Sequence, residues 1–197
     1  MKLLGGGNYK PHFTENFLHL PKQKKQTMEY LILLRFIHIV SAVFWAGAIM
    51  YLAWFIIPAV KALGPDGGKF MQQLSRTNKL PIVMLITGGL TVLGGLLLIY
   101  EISGGFEPAW FGTPHGIIIS IGGTLAISAY VIGLAVNLPA VNRMAAIGKA
   151  SAAAGAPPSQ EQLMELQMLR NKVFTASNIM AGLVFIAAIC MSIVRYF

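Results

Sequence analysis

The chain has 197 residues, of which 55% are hydrophobic and 11% charged, too apolar a balance for a soluble domain of this length. Its formal charge of +8 does not mark a nucleic-acid binder, because the Lys and Arg residues flank apolar runs and are not interleaved with aromatics in a polar patch. Anchoring at a membrane surface accounts for them, and no nucleic-acid partner is expected.

In chain order, residues 1–27 are a polar lead carrying Lys2, Lys10, Lys22, Lys24 and Lys25 and the run Gly5-Gly6-Gly7. They lack the apolar centre and small-residue cleavage site of a signal peptide, and Met28 offers an alternative start. His12 and His19 are spaced for one helix face, but Pro11 and Pro21 argue against a regular helix there, and two ligands are few for a metal tract. Residues 28–197 read as a single transmembrane domain. Four apolar runs, 30–60, 80–100, 116–138 and 173–194, each reach the roughly 20 residues that a bilayer asks of a spanning helix. No water at that depth satisfies backbone groups, and the alternating pattern of a closed barrel is missing, so each run must be helical. The expected fold is an all-α integral membrane four-helix bundle, with helices near 30–60, 80–100, 114–138 and 160–195.

The connections carry their own signals. In 61–79, Gly64-Pro65-Asp66-Gly67-Gly68 is a turn, and the apolar residues of FMQQLSRTNKL fit a short helix lying at the interface. The second connection, 103–113, has no Lys or Arg and ends in Thr113-Pro114, an N-cap followed by proline at the first helical position. The third contains AAAGAPPS and then Ser159 and Gln162 spaced for a capping box, opening an amphipathic lead-in to the last span. Connections one and three hold Lys61, Lys69, Arg76, Lys79, Arg143, Lys149, Arg170 and Lys172. The positive-inside bias of these connections puts both in the cytoplasm and the N-terminus outside, whereas the basic lead argues for the opposite orientation.

His38 lies inside the first apolar run, and a histidine at membrane depth is a functional hypothesis with a partner to be named. His115, second residue of the third helix, begins on the same side in an up-down bundle, at a depth differing by about 5–10 Å. Among bound groups haem fits this pair best, since its iron takes axial nitrogens from two helices while the macrocycle fills the apolar gap. A purely structural role, with the histidine bonded to a neighbouring carbonyl or Ser41, stands beside it as the alternative. Arg35, one turn shallower than His38, could meet a propionate. A helix N-terminus favours neutral, metal-binding imidazole at His115. Gly88-Gly89, Gly94-Gly95 and Gly122-Gly123 could leave room for a flat ring, although paired small residues are also ordinary helix-packing surfaces. Glu101 ends the second helix on the same side and could serve as a second acceptor or proton carrier. Copper is the alternative metal, because ten methionines offer thioethers, but they are scattered and read as core filler. Cys190, alone in the fourth run, can form no internal disulfide. No phosphate loop, zinc spacing or nucleophile motif is present.

LRFIHIVSAVFWAGAIMYLAW, residues 34–54, with His38, Trp45 and Gly47 at fixed spacing, resembles the first helix of the CopD-like (copper-resistance protein D) membrane family and, more distantly, HemJ-type protoporphyrinogen oxidases. It is also similar to small four-span bacterial membrane proteins of uncharacterised function. The first likeness implies copper handling across an inner membrane, and the second a haem-bearing oxidoreductase with His38 as ligand. The chain departs from both. It lacks the further spans and Met-rich segments of full-length CopD, and Ala53-Trp54-Phe55 stands where HemJ proteins have Pro-Arg. The expectation is an inner-membrane haem b protein with His38 and His115 as ligands and Arg35, Trp45 and Gly47 lining the site. It would exchange electrons with a quinone or a partner subunit. A copper transporter and a cofactor-free accessory subunit of a larger complex stay open.

Overall fold

The structure is a computed structural model and describes residues 22–197; His12 and His19 lie outside the described residues. Every element among the described residues is helical. Four helical stretches are long and apolar enough to cross a membrane: Met28–Ala62, Leu80–Ile102, Pro114–Ala154 and Gln160–Tyr196. We call them spans one to four. The chain is thus a multi-pass helical membrane protein in contact with lipid.

Span one is built from α1 (Lys22–Tyr51), a π turn (Leu52–Ile56) and α2 (Ile57–Ala62). Residues 22–27 are already helical, so the last residues of the polar lead belong to this helix. A short surface helix, α3 (Pro65–Arg76), follows as the FMQQL pattern anticipates. Its backbone closes on the Val60 carbonyl at Gly67, where no Cβ would fit. Span two is α4 (Leu80–Ile102). The second connection forms a tight aromatic cap: Gly104, Gly105 and Phe106 take positive φ, the Ser103 hydroxyl accepts from the Phe106 N–H at 2.8 Å, and α5 (Pro108–Phe111) follows. Tyr100, Phe106, Phe111 and Trp110 pack in sequence with centroids 5.5, 6.5 and 5.1 Å apart, forming the interfacial aromatic belt at this end.

Span three joins α6 (Pro114–Ile132), a second π turn (Gly133–Asn137) and α7 (Leu138–Ala154). Thr113 caps it as its sequence foretells, accepting from Gly116 N–H at 3.0 Å. The expected end at 138 is overrun by a full helix. Pro139 would clash with the carbonyl four residues back in a regular α-helix, but the widened π turn before it absorbs the clash, and the helix continues. Pro58 is accommodated in the same way in span one. Span four is α8 (Gln160–Ile193), opened by the full Ser159/Gln162 capping box. At 1.5 Å per residue, the 41 residues of span three measure roughly 60 Å, about twice a hydrocarbon core, so its C-terminal half stands out of the bilayer beside the start of α8. The bidentate contact of Arg143 with Glu165, 2.6 and 2.9 Å, ties these extensions together.

The surface is inverted relative to a soluble bundle. Phe36, Val43 and Leu93 are 63%, 70% and 62% exposed, as lipid contact requires. The interior collects small residues, among them Gly88, Gly94, Gly122, Ala129 and Ala181, that let backbones approach. Span one packs mainly on span two and span three mainly on span four. These hairpins are related. Ile57-Pro58-Ala59-Val60 and Leu138-Pro139-Ala140-Val141 each follow a π turn of equal length and place. In the second helices, Asn78-Lys79-Leu80 matches Asn171-Lys172-Val173, and Ile86-Thr87-Gly88-Gly89-Leu90 matches Ile179-Met180-Ala181-Gly182-Leu183. Gly88, Thr91 and Gly94 are buried, and so are their counterparts Ala181, Val184 and Ala187. The bundle thus pairs two hairpins of similar pattern, both running the same way across the membrane.

Candidate functional site

His38 sits on the stripe of span one that carries the buried residues Leu34, Ser41, Trp45, Ile49 and Ala53. Its ring lies in a seat made by span two. A methyl at Gly94 would come within 3.2 Å of His38 Cβ, and one at Gly95 within 2.9 Å of Cε1. Nδ1 is 2.8 Å from the Thr91 carbonyl oxygen. A carbonyl can only accept, so Nδ1 carries the proton, and in the neutral ring the lone pair is left on Nε2. The Thr91 hydroxyl donates to Ser41 Oγ at 3.1 Å, and Ser41 donates on to the Ile37 carbonyl at 2.7 Å, so a polar seam runs between spans one and two.

The paired glycines do not form an open slot. Gly94 and Gly95 hold His38, Gly88 holds Trp45 and Tyr130, and Gly122 holds Cys190 and Met191, so side chains of neighbouring spans fill the room expected for a macrocycle. Trp45 is a core residue, 3% exposed, edge-on to Tyr130 with centroids 5.9 Å apart. Gly47 faces outward with nothing within 4 Å of where its Cβ would be. Arg35 is exposed one turn from His38, and Glu101 is exposed at the end of α4.

His115 is half-buried at the start of α6, its ring 6.3 Å from Trp110. The Trp45–Tyr130 contact sets spans one and three in register. Counting back at 1.5 Å per residue, His38 lies about 10 Å and His115 about 22 Å toward the aromatic end from that contact. The two rings thus differ in depth by about 12 Å, more than the spacing of the residues suggests. Two nitrogens on one metal stand about 4 Å apart. Side chains on parallel helices lean the same way, so neither reaches back to close the gap. The geometry offers one oriented imidazole, His38, and does not bring His115 to it.

Sequence reading missed a second polar cluster. Asn137, in the π turn of span three, donates through Nδ2 to Ser177 Oγ at 3.1 Å and to Met180 Sδ at 3.4 Å, while its Oδ1 is buried with no partner. It borders a chamber of about 150 Å³ to which all four spans contribute, at the level of the two π turns. Met71, Met84 and Met180, scattered in sequence, line this same chamber. Among the described residues, His, Cys, Asp and Glu form no group of three suited to a metal ion. An amide residue two places before a proline within an apolar run was the available signal.

Fold and site together define a helical multi-pass membrane protein made of two related hairpins, with one preset imidazole in the first hairpin and a chamber between the two. No family model, curated protein or solved structure matches the chain.

Proposed function

We propose that the protein is an inner-membrane haem b protein that takes the iron through His38 and exchanges electrons with a quinone or a partner subunit. The observation that carries this reading is the Nδ1 contact with the Thr91 carbonyl. It fixes the tautomer and ring orientation of a metal-ligating histidine and leaves Nε2 as the ligand atom. With the glycine gaps filled by neighbouring side chains, the residues present would hold a haem through His38 alone and not through a two-histidine bracket, so His115 has no part in ligation. When bound, the haem supplies one-electron chemistry at the iron. The chain's own residues hold and orient the imidazole: Gly94 and Gly95 admit the ring, Thr91 takes its proton-bearing edge, and the Ser41 hydroxyl ties Thr91 to span one. Arg35, exposed a turn nearer the surface, is placed for a propionate.

The CopD-like first helix and the gathering of Met71, Met84 and Met180 support a second reading, copper handling, since thioethers suit Cu(I). Absorption spectra of protein expressed with excess haem, oxidised and dithionite-reduced, separate the two. The haem reading expects a Soret band and a reduced α-band that His38→Ala abolishes and His115→Ala leaves in place. A band that survives His38→Ala, or no band at all, overturns it. Stoichiometric copper without a Soret band favours the second reading.

A further inference from the structure

At the end of the bundle formed by the first and third connections, the central chamber adjoins a larger one of about 850 Å³, within the size range of small-molecule sites. Ile57, Met71, Ser75, Val141 and Val173 line both, so the two adjoin across a shared wall as an outer and an inner part of the space between the hairpins. The two parts differ in chemistry. The outer wall carries Lys61, Lys69 and Arg170, and no Asp or Glu is among its described lining residues. Lys69 is shared with Asp66 at 2.8 Å, whereas Lys61 and Arg170 enter no ion pair among the described residues. Lys61 Nζ stands 5.3 Å from the centroid of the Phe174 ring, and Gly68 leaves space beside the Arg170 guanidinium, so both cations are drawn toward the cavity wall. Ser151 also lines this part, and its hydroxyl oxygen is buried with no partner. The inner part is bounded by Trp45, Ile49, Met84 and Leu134, an apolar lining in which a hydrated anion would lose its water without return.

We propose that this space binds a phosphate-bearing amphiphile, independently of any cofactor at His38. The phosphate sits among Lys61, Lys69 and Arg170, with the Ser151 hydroxyl as a neutral donor. The first part of the apolar chain passes Ser75 into the inner chamber. A space of 150 Å³ takes a group about the size of benzene, so about six carbons are enclosed and the rest of a longer chain leaves between the spans. The cationic wall selects the charge of the head, and the apolar chamber selects an amphiphile over the free ion.

Binding to the full chain in an uncharged detergent tests this, with native mass spectrometry as the readout and lysophosphatidic acid, lysophosphatidylcholine and inorganic phosphate as probes. Lysophosphatidic acid is expected at one per chain and at least tenfold tighter than lysophosphatidylcholine. Lys61→Gln with Arg170→Gln, both at exposed positions, should weaken it at least tenfold. Ser75→Phe, at the junction of the two chambers, should weaken it without changing the response to phosphate. Equal binding of the two lysolipids, or no effect of the double substitution, overturns the cationic headgroup site. Phosphate binding as tightly as lysophosphatidic acid overturns the amphiphile. Should Ser75→Phe fail to fold, a series of lysophosphatidic acids on the unaltered chain decides the same point: affinity should rise with chain length, and a flat series overturns the inner chamber's role.

Discussion

Close packing between spans one, two and three makes a sharp prediction about Gly88. A methyl group there would stand 2.7 Å from Trp45 Nε1 and 2.8 Å from both Trp45 Cε2 and Tyr130 Cδ2, about 1 Å inside an ordinary carbon contact. Neither ring can swing away. Trp45 is 3% exposed, and the Tyr130 hydroxyl is held 3.2 Å from the Leu85 carbonyl. Overpacking of this kind costs about 1–3 kcal/mol, offset by up to about 1 kcal/mol from the better helix propensity of alanine. Gly88→Ala is therefore expected to lose up to about 2 kcal/mol after the full propensity gain, and to fall about 1–3 kcal/mol below a glycine-to-alanine change in open space. Gly47→Ala, with nothing within 4 Å, should be neutral or gain up to about 1 kcal/mol. Titrating both variants with SDS in mixed micelles, followed by circular dichroism, measures the difference. If Gly88→Ala is as stable as Gly47→Ala, the Trp45–Gly88–Tyr130 contact is wrong. The register of spans one and three then fails, and with it the depth separation of His38 and His115.

Two further expectations concern the second hairpin and the orientation. Asn137→Leu removes a buried, unpartnered oxygen along with bonds to Ser177 and Met180, and interhelical hydrogen bonds in bilayers average only about 0.6 kcal/mol. It should cost under about 1 kcal/mol in the same titration, and a loss above about 2 kcal/mol would show that this amide holds the spans together. The positive-inside bias predicts that the first and third connections, with their lysines and arginines, lie in the cytoplasm. In a Cys190→Ala background, Ala109→Cys should react with an impermeant maleimide on intact cells and Lys149→Cys only after permeabilisation; the opposite pattern reverses the topology.

The spans were legible because the bilayer imposes a local rule, roughly 20 apolar residues in a row, that a single sequence displays directly. The caps at Thr113 and Ser159 were legible for the same reason, since each bond closes within a few residues. The continuation of span three past Pro139 was not, because whether a proline ends a helix depends on whether a π turn can absorb it. The depth of His115 relative to His38 was hidden as well. It is set by an aromatic contact between residues 45 and 130, which no spacing within either helix encodes. The glycines were visible as gaps, but what fills a gap is decided by the neighbouring span, here His38 itself at Gly94 and Gly95. Likewise Met71, Met84 and Met180 look scattered along the chain and meet only when all four spans close around one chamber.

The repeat supplies an internal control on whether the polar seam around His38 exists to hold helices together. Aligning the π turns and the second helices sets Ile119 opposite His38, Gly122 opposite Ser41 and Val184 opposite Thr91. All three counterparts are buried, and span three packs on span four through them without a polar contact at that level, the Asn137–Ser177 bond and the Arg143–Glu165 pair between these spans lying at the π turn and beyond it. The hairpin scaffold therefore does not require His38, Ser41 and Thr91 for packing. Replacing both partners of a buried polar contact with apolar groups of fitting shape can be nearly neutral, whereas removing one alone leaves the other unsatisfied. Writing the second hairpin's residues into the first, as His38→Ile, Ser41→Gly and Thr91→Val together, should leave stability within about 1 kcal/mol of the unaltered chain in the SDS titration while abolishing the haem spectrum. A loss of more than about 3 kcal/mol would make the seam a structural clamp and remove the main physical reason for placing chemistry at His38.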